Sequence, residues 1–159
     1  MKIRTATEKD YRGIYERENT AEYRRLKGRP HRNFIAFKKW IAARKARGSI
    51  ILIAEDNGKQ VGSVMLIRWL GNQSHNMGIG ISVDKAYAGK GIGKALMKAA
   101  LKRAKSEKGV RRISYACYGF NKPSLALVKS LGFKRCGKST HEYLINEKYV
   151  DYYYFEKLL

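Results

Sequence analysis

The run Val83-Asp84-Lys85-Ala86-Tyr87-Ala88-Gly89-Lys90-Gly91-Ile92-Gly93-Lys94-Ala95-Leu96 places three glycines at alternate positions between two patterned segments. Upstream, residues 77–83 read as a strand. Downstream, Ile92, Leu96, Ala99 and Ala100 recur on one face of a helix reaching about residue 104. Glycine permits close backbone approach, and the first amides of a helix lack intrahelical acceptors. Together with the helix dipole they form a site for phosphate oxygens. Lys90 and Lys94 add positive charge beside it. Two other glycine signatures fail on residue identity. A dinucleotide fingerprint starting at Gly89 needs glycine where Lys94 stands, and a P-loop ending at Gly93-Lys94 needs glycine at Ala88 and Ser or Thr at Ala95.

The remaining pattern predicts a mixed α/β fold in one domain spanning residues 1–159, with no repeat, low-complexity tract or linker to divide it. Residues 2–6 alternate as a strand, and Thr7 followed by Asp10 caps an amphipathic segment from 11 to about 23. Gly28 and Pro30 break residues 26–33, a predicted loop. A second helix follows over 34–46, with Phe34, Phe37, Trp40 and Ile41 on one face. Residues 50–54 and 61–69 flank Asp56-Asn57-Gly58-Lys59 and read as a hairpin. A strand over 112–118, a helix over 123–131 ended by Gly132, and strands over 134–145 and 149–158 complete the chain.

The glycine turn resembles the acetyl-CoA signature of the GNAT superfamily: Arg or Gln, two residues, Gly, one residue, Gly or Ala, after a strand ending in Val. Ala88 stands where the family has Arg or Gln, a departure that bears on loop rigidity more than on phosphate binding by backbone amides. A second run, Asn121-Lys122-Pro123-Ser124-Leu125-Ala126-Leu127-Val128-Lys129-Ser130-Leu131-Gly132-Phe133, resembles the family's later motif of Asn, helix and Gly-Phe entering a strand. The last residues, 149–159, are similar to the final strand of many members. The resemblance covers about residue 50 to the C-terminus, and in the family the preceding region shapes the acceptor site.

It implies a mixed, mostly antiparallel twisted sheet of six to seven strands flanked by about four helices. It also implies direct attack of an amine on acetyl-CoA within a ternary complex, where positioning supplies much of the rate. Ile81, Ser82, Val83, Ala88, Gly89, Lys90, Gly91, Ile92, Gly93, Lys94, Asn121 and Ser124 would hold the co-substrate, and a backbone amide near Val83 would donate to the thioester oxygen. Val128 occupies the family's usual general-acid Tyr position, so Tyr118 becomes the expected proton donor. A base glutamate would fall at Gly78, which leaves amine deprotonation to water. His75 is expected to be structural or on the surface. The acceptor stays open among a protein N-terminus, a lysine and a small amine.

The net charge of +21 and pI near 10.1 favour polyanionic partners, CoA or nucleic acid. Residues such as Lys38, Lys39, Arg44, Lys45 and Arg47 also read as a solvated helix face. The alternatives are therefore a weakened CoA-binding GNAT domain, or a nucleic-acid- or ribosome-associated protein stacking bases on Tyr149, Tyr152, Tyr153, Tyr154 and Phe155. Consecutive tyrosines in a strand point to both faces, which suits a packed sheet better. Only 13 acidic residues, dispersed along the chain, argue against a polyamine acceptor, although Glu16, Glu18 and Glu22 on the first helix can line an acceptor pocket or simply be solvated. Cys117 and Cys136 read as half-buried thiols, no metal motif is present, and neither a signal peptide nor a membrane span is expected. A cytoplasmic monomer or homodimer is expected.

Overall fold

The structure is a computed structural model that describes residues 1–20, 23 and 33–159. In chain order its elements are β1 (Lys2–Thr5), α1 (Tyr11–Glu18), α2 (Phe34–Ala46), β2 (Ile50–Asp56), β3 (Lys59–Arg68), β4 (Asn76–Val83), α3 (Ile92–Lys105), β5 (Arg112–Tyr118), α4 (Lys122–Ser130), β6 (Lys134–Ile145) and β7 (Lys148–Leu158). The seven strands form one sheet in the order β1-β2-β3-β4-β5-β7-β6. Every pairing is antiparallel except β4 with β5. The mixed sheet with four α-helices among the described residues matches the expected fold class. Glu22 and most of the predicted break at residues 26–33 lie outside the described residues.

Helices cover both faces of β2 and β3, which explains why these strands read as nearly continuous apolar runs. Ile51, Ile53 and Met65 pack against Tyr11, Ile14, Phe37 and Ile41 of α1 and α2. From the opposite face, Leu52, Ala54, Val64 and Leu66 join Leu96, Met97, Ala100 and Ala104 of α3. The hairpin turn uses Asn57 and Gly58, with φ 48° and 75°, as its Asn-Gly pair predicts. Cys117 is buried in the α3-side core and Cys136 is exposed, neither of them in a disulfide, so neither is half-buried.

Two ion pairs tie the N-terminal elements to the sheet. Arg17 of α1 is engaged by Asp84, just beyond β4, and donates to the Gln60 carbonyl and side chain. Near β1, the buried Asp10 carboxylate accepts from Arg4 at 2.8 and 2.9 Å and from the Thr7 amide at 2.7 Å. Arg4 first, and then Thr7, outweigh burial and lower the Asp10 pKa from 3.8 to about 2. A depressed carboxyl stabilises the fold fully above its unfolded value and loses that contribution as pH falls through its folded value. Asp10→Asn should therefore cost about 2 kcal/mol in urea unfolding at pH 7, with the gap between variant and wild type closing between about pH 4 and 2.

Candidate active site

β4 and β5 pair only from Asn76, Met77 and Gly78 to Arg112, Ile113 and Ser114, and then separate. The register of the β3 side determines what the opening contains. Trp69 N–H donates to the Asn76 carbonyl and Asp84 N–H to the Val61 carbonyl, so even-numbered β4 residues exchange bonds with β3. Ile81 and Val83 consequently aim their N–H and C=O groups at β5 across a gap that no ladder bond spans. A strand edge of this kind accepts an extended ligand by main-chain pairing. Val83, the expected oxyanion donor, lies on this edge.

Beside the gap lies a cleft of about 560 Å³ lined by Ile81, Val83, Ala88, Gly89, Gly91, Ile92, Gly93, Lys94 and, across from them, Ser124 and Leu127 of α4. Gly91 is the α3 N-cap at φ 77°, and Gly89 sits at φ 78°. The first α3 hydrogen bond runs from the Ala95 N–H to the Gly91 carbonyl, which leaves the Ile92, Gly93 and Lys94 amides unpaired at the positive end of the helix dipole. The Lys90 ammonium lies 4.8 Å from the centre of the Tyr87 ring rather than in the cleft lining. The Arg17–Asp84 pair and a 2.8 Å bond from Tyr87 N–H to the Asp84 carbonyl brace the turn where the family's Arg or Gln is replaced by Ala88. Ser82 exchanges ladder bonds with Ser63, and the Asn121 side chain caps α4 by accepting from the Ser124 amide at 3.1 Å. Both therefore stand outside the cleft lining and act on its frame.

The face opposite α3 carries a groove of about 470 Å³ over Gly78, Gly80, Ser114 and Ala116, walled by Trp69, Tyr152 and Tyr154. A side chain at Gly78, the position expected to hold a base glutamate, would begin 3.3 Å from the Trp69 indole nitrogen, so the indole crowds it. A smaller chamber of about 140 Å³, lined by Glu18, Trp40, Ser63 and Tyr23, shares Tyr23, Ile67, Gly80 and Ile81 with the groove. Glu16, two residues before Glu18, is exposed. Burial, against the opposing charge of Arg17, raises the Glu18 pKa to about 7.

Tyr118 is buried against Phe120, Tyr143 and Tyr152 at ring-centre distances of 5.3, 5.1 and 5.1 Å. Burial, then Tyr143 and Glu142, hold its phenol protonated by raising its pKa. Tyr115, not singled out in the sequence, lies on the opposite side of β5 and donates its hydroxyl to Ser124 Oγ at 3.1 Å, at the edge of the cleft. Strand alternation separates Tyr115 from Tyr118 in the sequence, but the contact with Ser124 depends on how α4 packs beside β5. Val128 is fully buried in the core, and His75 is exposed before β4. Tyr153 and Phe155 of β7 face the α3-side core, whereas Tyr152 and Tyr154 face the groove, so the β7 aromatics form no one-sided platform. Among the described residues no three His, Cys, Asp or Glu side chains gather as a metal site, and no helix is long and apolar enough to cross a membrane.

The family model described as "Acetyltransferase (GNAT) family" matches residues 7–133. An L-amino acid N-acetyltransferase of Escherichia coli is 28% identical over 158 residues, 98% of this chain and 96% of that protein. A ribosomal-protein-alanine N-acetyltransferase from Brucella melitensis superposes with a TM-score of 0.87 at 25% identity, covering 100% of both chains. An acetyltransferase structure from Salmonella typhimurium, solved with acetyl-CoA, shares the fold at TM-score 0.88 and 22% identity, over 100% of this chain and 94% of the other.

Proposed function

The chain belongs to the acetyltransferase (GNAT) family, and we propose that it transfers the acetyl group of acetyl-CoA to a primary amine by direct attack in a ternary complex. The observation that carries the reading is the open β4 edge at Ile81 and Val83, which lies between a phosphate-ready helix start on one side and an open groove on the other. The CoA pyrophosphate would bond the Ile92, Gly93 and Lys94 amides. Its pantetheine arm would pair with the β4 edge, and the Val83 amide would donate to the thioester oxygen. The acceptor would enter through the groove, so that amine and thioester meet where β4 leaves β5.

Of the relatives described above, one is named for a free L-amino acid and another for an alanine of a ribosomal protein. In the groove, Arg112 is the one cation among the described lining residues and already bonds Glu156 through Nε at 2.8 Å, so the carboxylate of a free amino acid would have to share it. This favours a peptide α-amine. Thiol release from acetyl-CoA is the test, with an alanine-led peptide, L-methionine and Nα-acetyl-lysine as acceptors. Release with none of them would remove the enzyme reading. Tyr118→Phe should lower kcat about 100-fold at unchanged acetyl-CoA affinity, the size of a lost general acid. Unchanged kcat in that variant, with a loss in Tyr115→Phe, would move the proton donor to Tyr115.

A further inference from the structure

An α-amine is largely protonated at neutral pH and has no lone pair for attack until a proton leaves. β4 supplies no base, because none of its residues from Asn76 to Val83 carries an ionisable side chain. The one carboxylate among the described lining residues of the groove's small side chamber is Glu18, the last residue of α1. That chamber meets the groove at Gly80 and Ile81, on the stretch of β4 that has already parted from β5.

Resting on the acetyl-transfer reading above, we propose that Glu18 is the general base, taking the proton of the acceptor ammonium as it enters the chamber. The C-terminal end of α1 disfavours negative charge and so raises the carboxylate's proton affinity. Among the described residues, the charged and titratable groups that face it are few. Arg17 reaches toward the chamber but is committed to Asp84, Gln60 and, at 3.4 Å, Ser63. Tyr23 lines the chamber, and its phenol is held protonated by burial and then by the charge of Glu18. The lining from α2, β2, β3 and β4 carries no other ionisable side chain. Glu18 has no hydrogen-bond or ion-pair partner among the described residues, which leaves both carboxylate oxygens to an incoming ammonium. Arg17 anchors the end of α1 to Asp84 and so fixes where Glu18 stands.

The step balances. Glu18 takes one proton from R–NH3⁺, and the nitrogen lone pair forms the C–N bond while the thioester C–S bond breaks. The second amine proton passes to the departing thiolate, giving CoASH, and Glu18 returns its proton to water. Because the base must be ionised, kcat should fall below a midpoint of about pH 7.

The test is the pH profile of thiol release with saturating acetyl-CoA and the alanine-led peptide, for wild type, Glu18→Gln, Glu18→Asp and the exposed control Glu16→Gln. Glu18→Gln should lose about 100-fold in kcat at pH 7 together with the acid limb, with the acetyl-CoA Kd unchanged. Glu18→Asp should restore part of the rate, and Glu16→Gln should match wild type. Glu18→Gln that keeps both its rate and its acid limb overturns the assignment while acetyl transfer stands. A wild type that binds acetyl-CoA yet acetylates no amine overturns the parent reading and this assignment with it.

Discussion

Replacing Gly91 with glutamate should weaken acetyl-CoA binding by more than about 100-fold in isothermal titration, a loss of roughly 3 kcal/mol, without unfolding the protein. A Cβ at Gly91 meets nothing within 4 Å, so no atom has to move. The backbone at φ 77° charges any L-residue about 1–2 kcal/mol, which a domain of this size survives. What the substitution adds is a carboxylate at the helix N-cap, beside the unpaired Ile92, Gly93 and Lys94 amides, where a pyrophosphate would place its own negative charge. Gly91→Ala carries the same backbone cost without the charge and should bind within a few-fold of wild type, which separates repulsion from strain. Desulfo-CoA, which lacks the sulfur but keeps the phosphates, should show the same ranking. Equal binding by Gly91→Glu and wild type would place the pyrophosphate elsewhere.

That turn was legible because phosphate binding by backbone leaves a compositional mark: glycines at 89, 91 and 93 and an apolar period beginning at Ile92. The element bounds were legible for a related reason, since β5, β6 and α2 are each delimited by residues that break one period and start another. The acceptor side left no such mark. Glu18 looks like any helix carboxylate in the sequence, and its partial burial follows from how α1 is held over β3 by Arg17 and Gln60. The loss of the usual base was visible as Gly78, but the Trp69 indole that crowds that position depends on how the chain turns after β3. In the sequence Tyr118 stands out only by its place before Asn121. Its enclosure by Tyr143 and Tyr152 comes from the β6–β7 hairpin folding beside β5, a pairing across more than thirty residues that no local pattern reports.

Phe37→Ala should lower stability by about 3–5 kcal/mol and Tm by roughly 10 °C, and should damage acceptor use far more than co-substrate binding. The ring is fully buried and lies 5.5, 6.4 and 6.1 Å from the rings of Tyr15, Phe34 and Trp40, so truncation leaves a void that α1 and α2 can close only by shifting on the sheet. Trp40 lines the Glu18 chamber, and Ile14, one turn before Glu18 on α1, lines it too, so such a shift displaces the acceptor side directly. The co-substrate cleft rests instead on the α3-side cluster, separated from Phe37 by the thickness of the sheet. Below the variant's Tm, the acetyl-CoA Kd should stay within about threefold while KM for the peptide amine rises at least tenfold. Parallel losses in both constants would mean that the two cores yield together and that acceptor and co-substrate sites are not supported separately. A selective loss would assign the N-terminal helices to the acceptor and the glycine turn with α3 to acetyl-CoA, on opposite faces of the same strands.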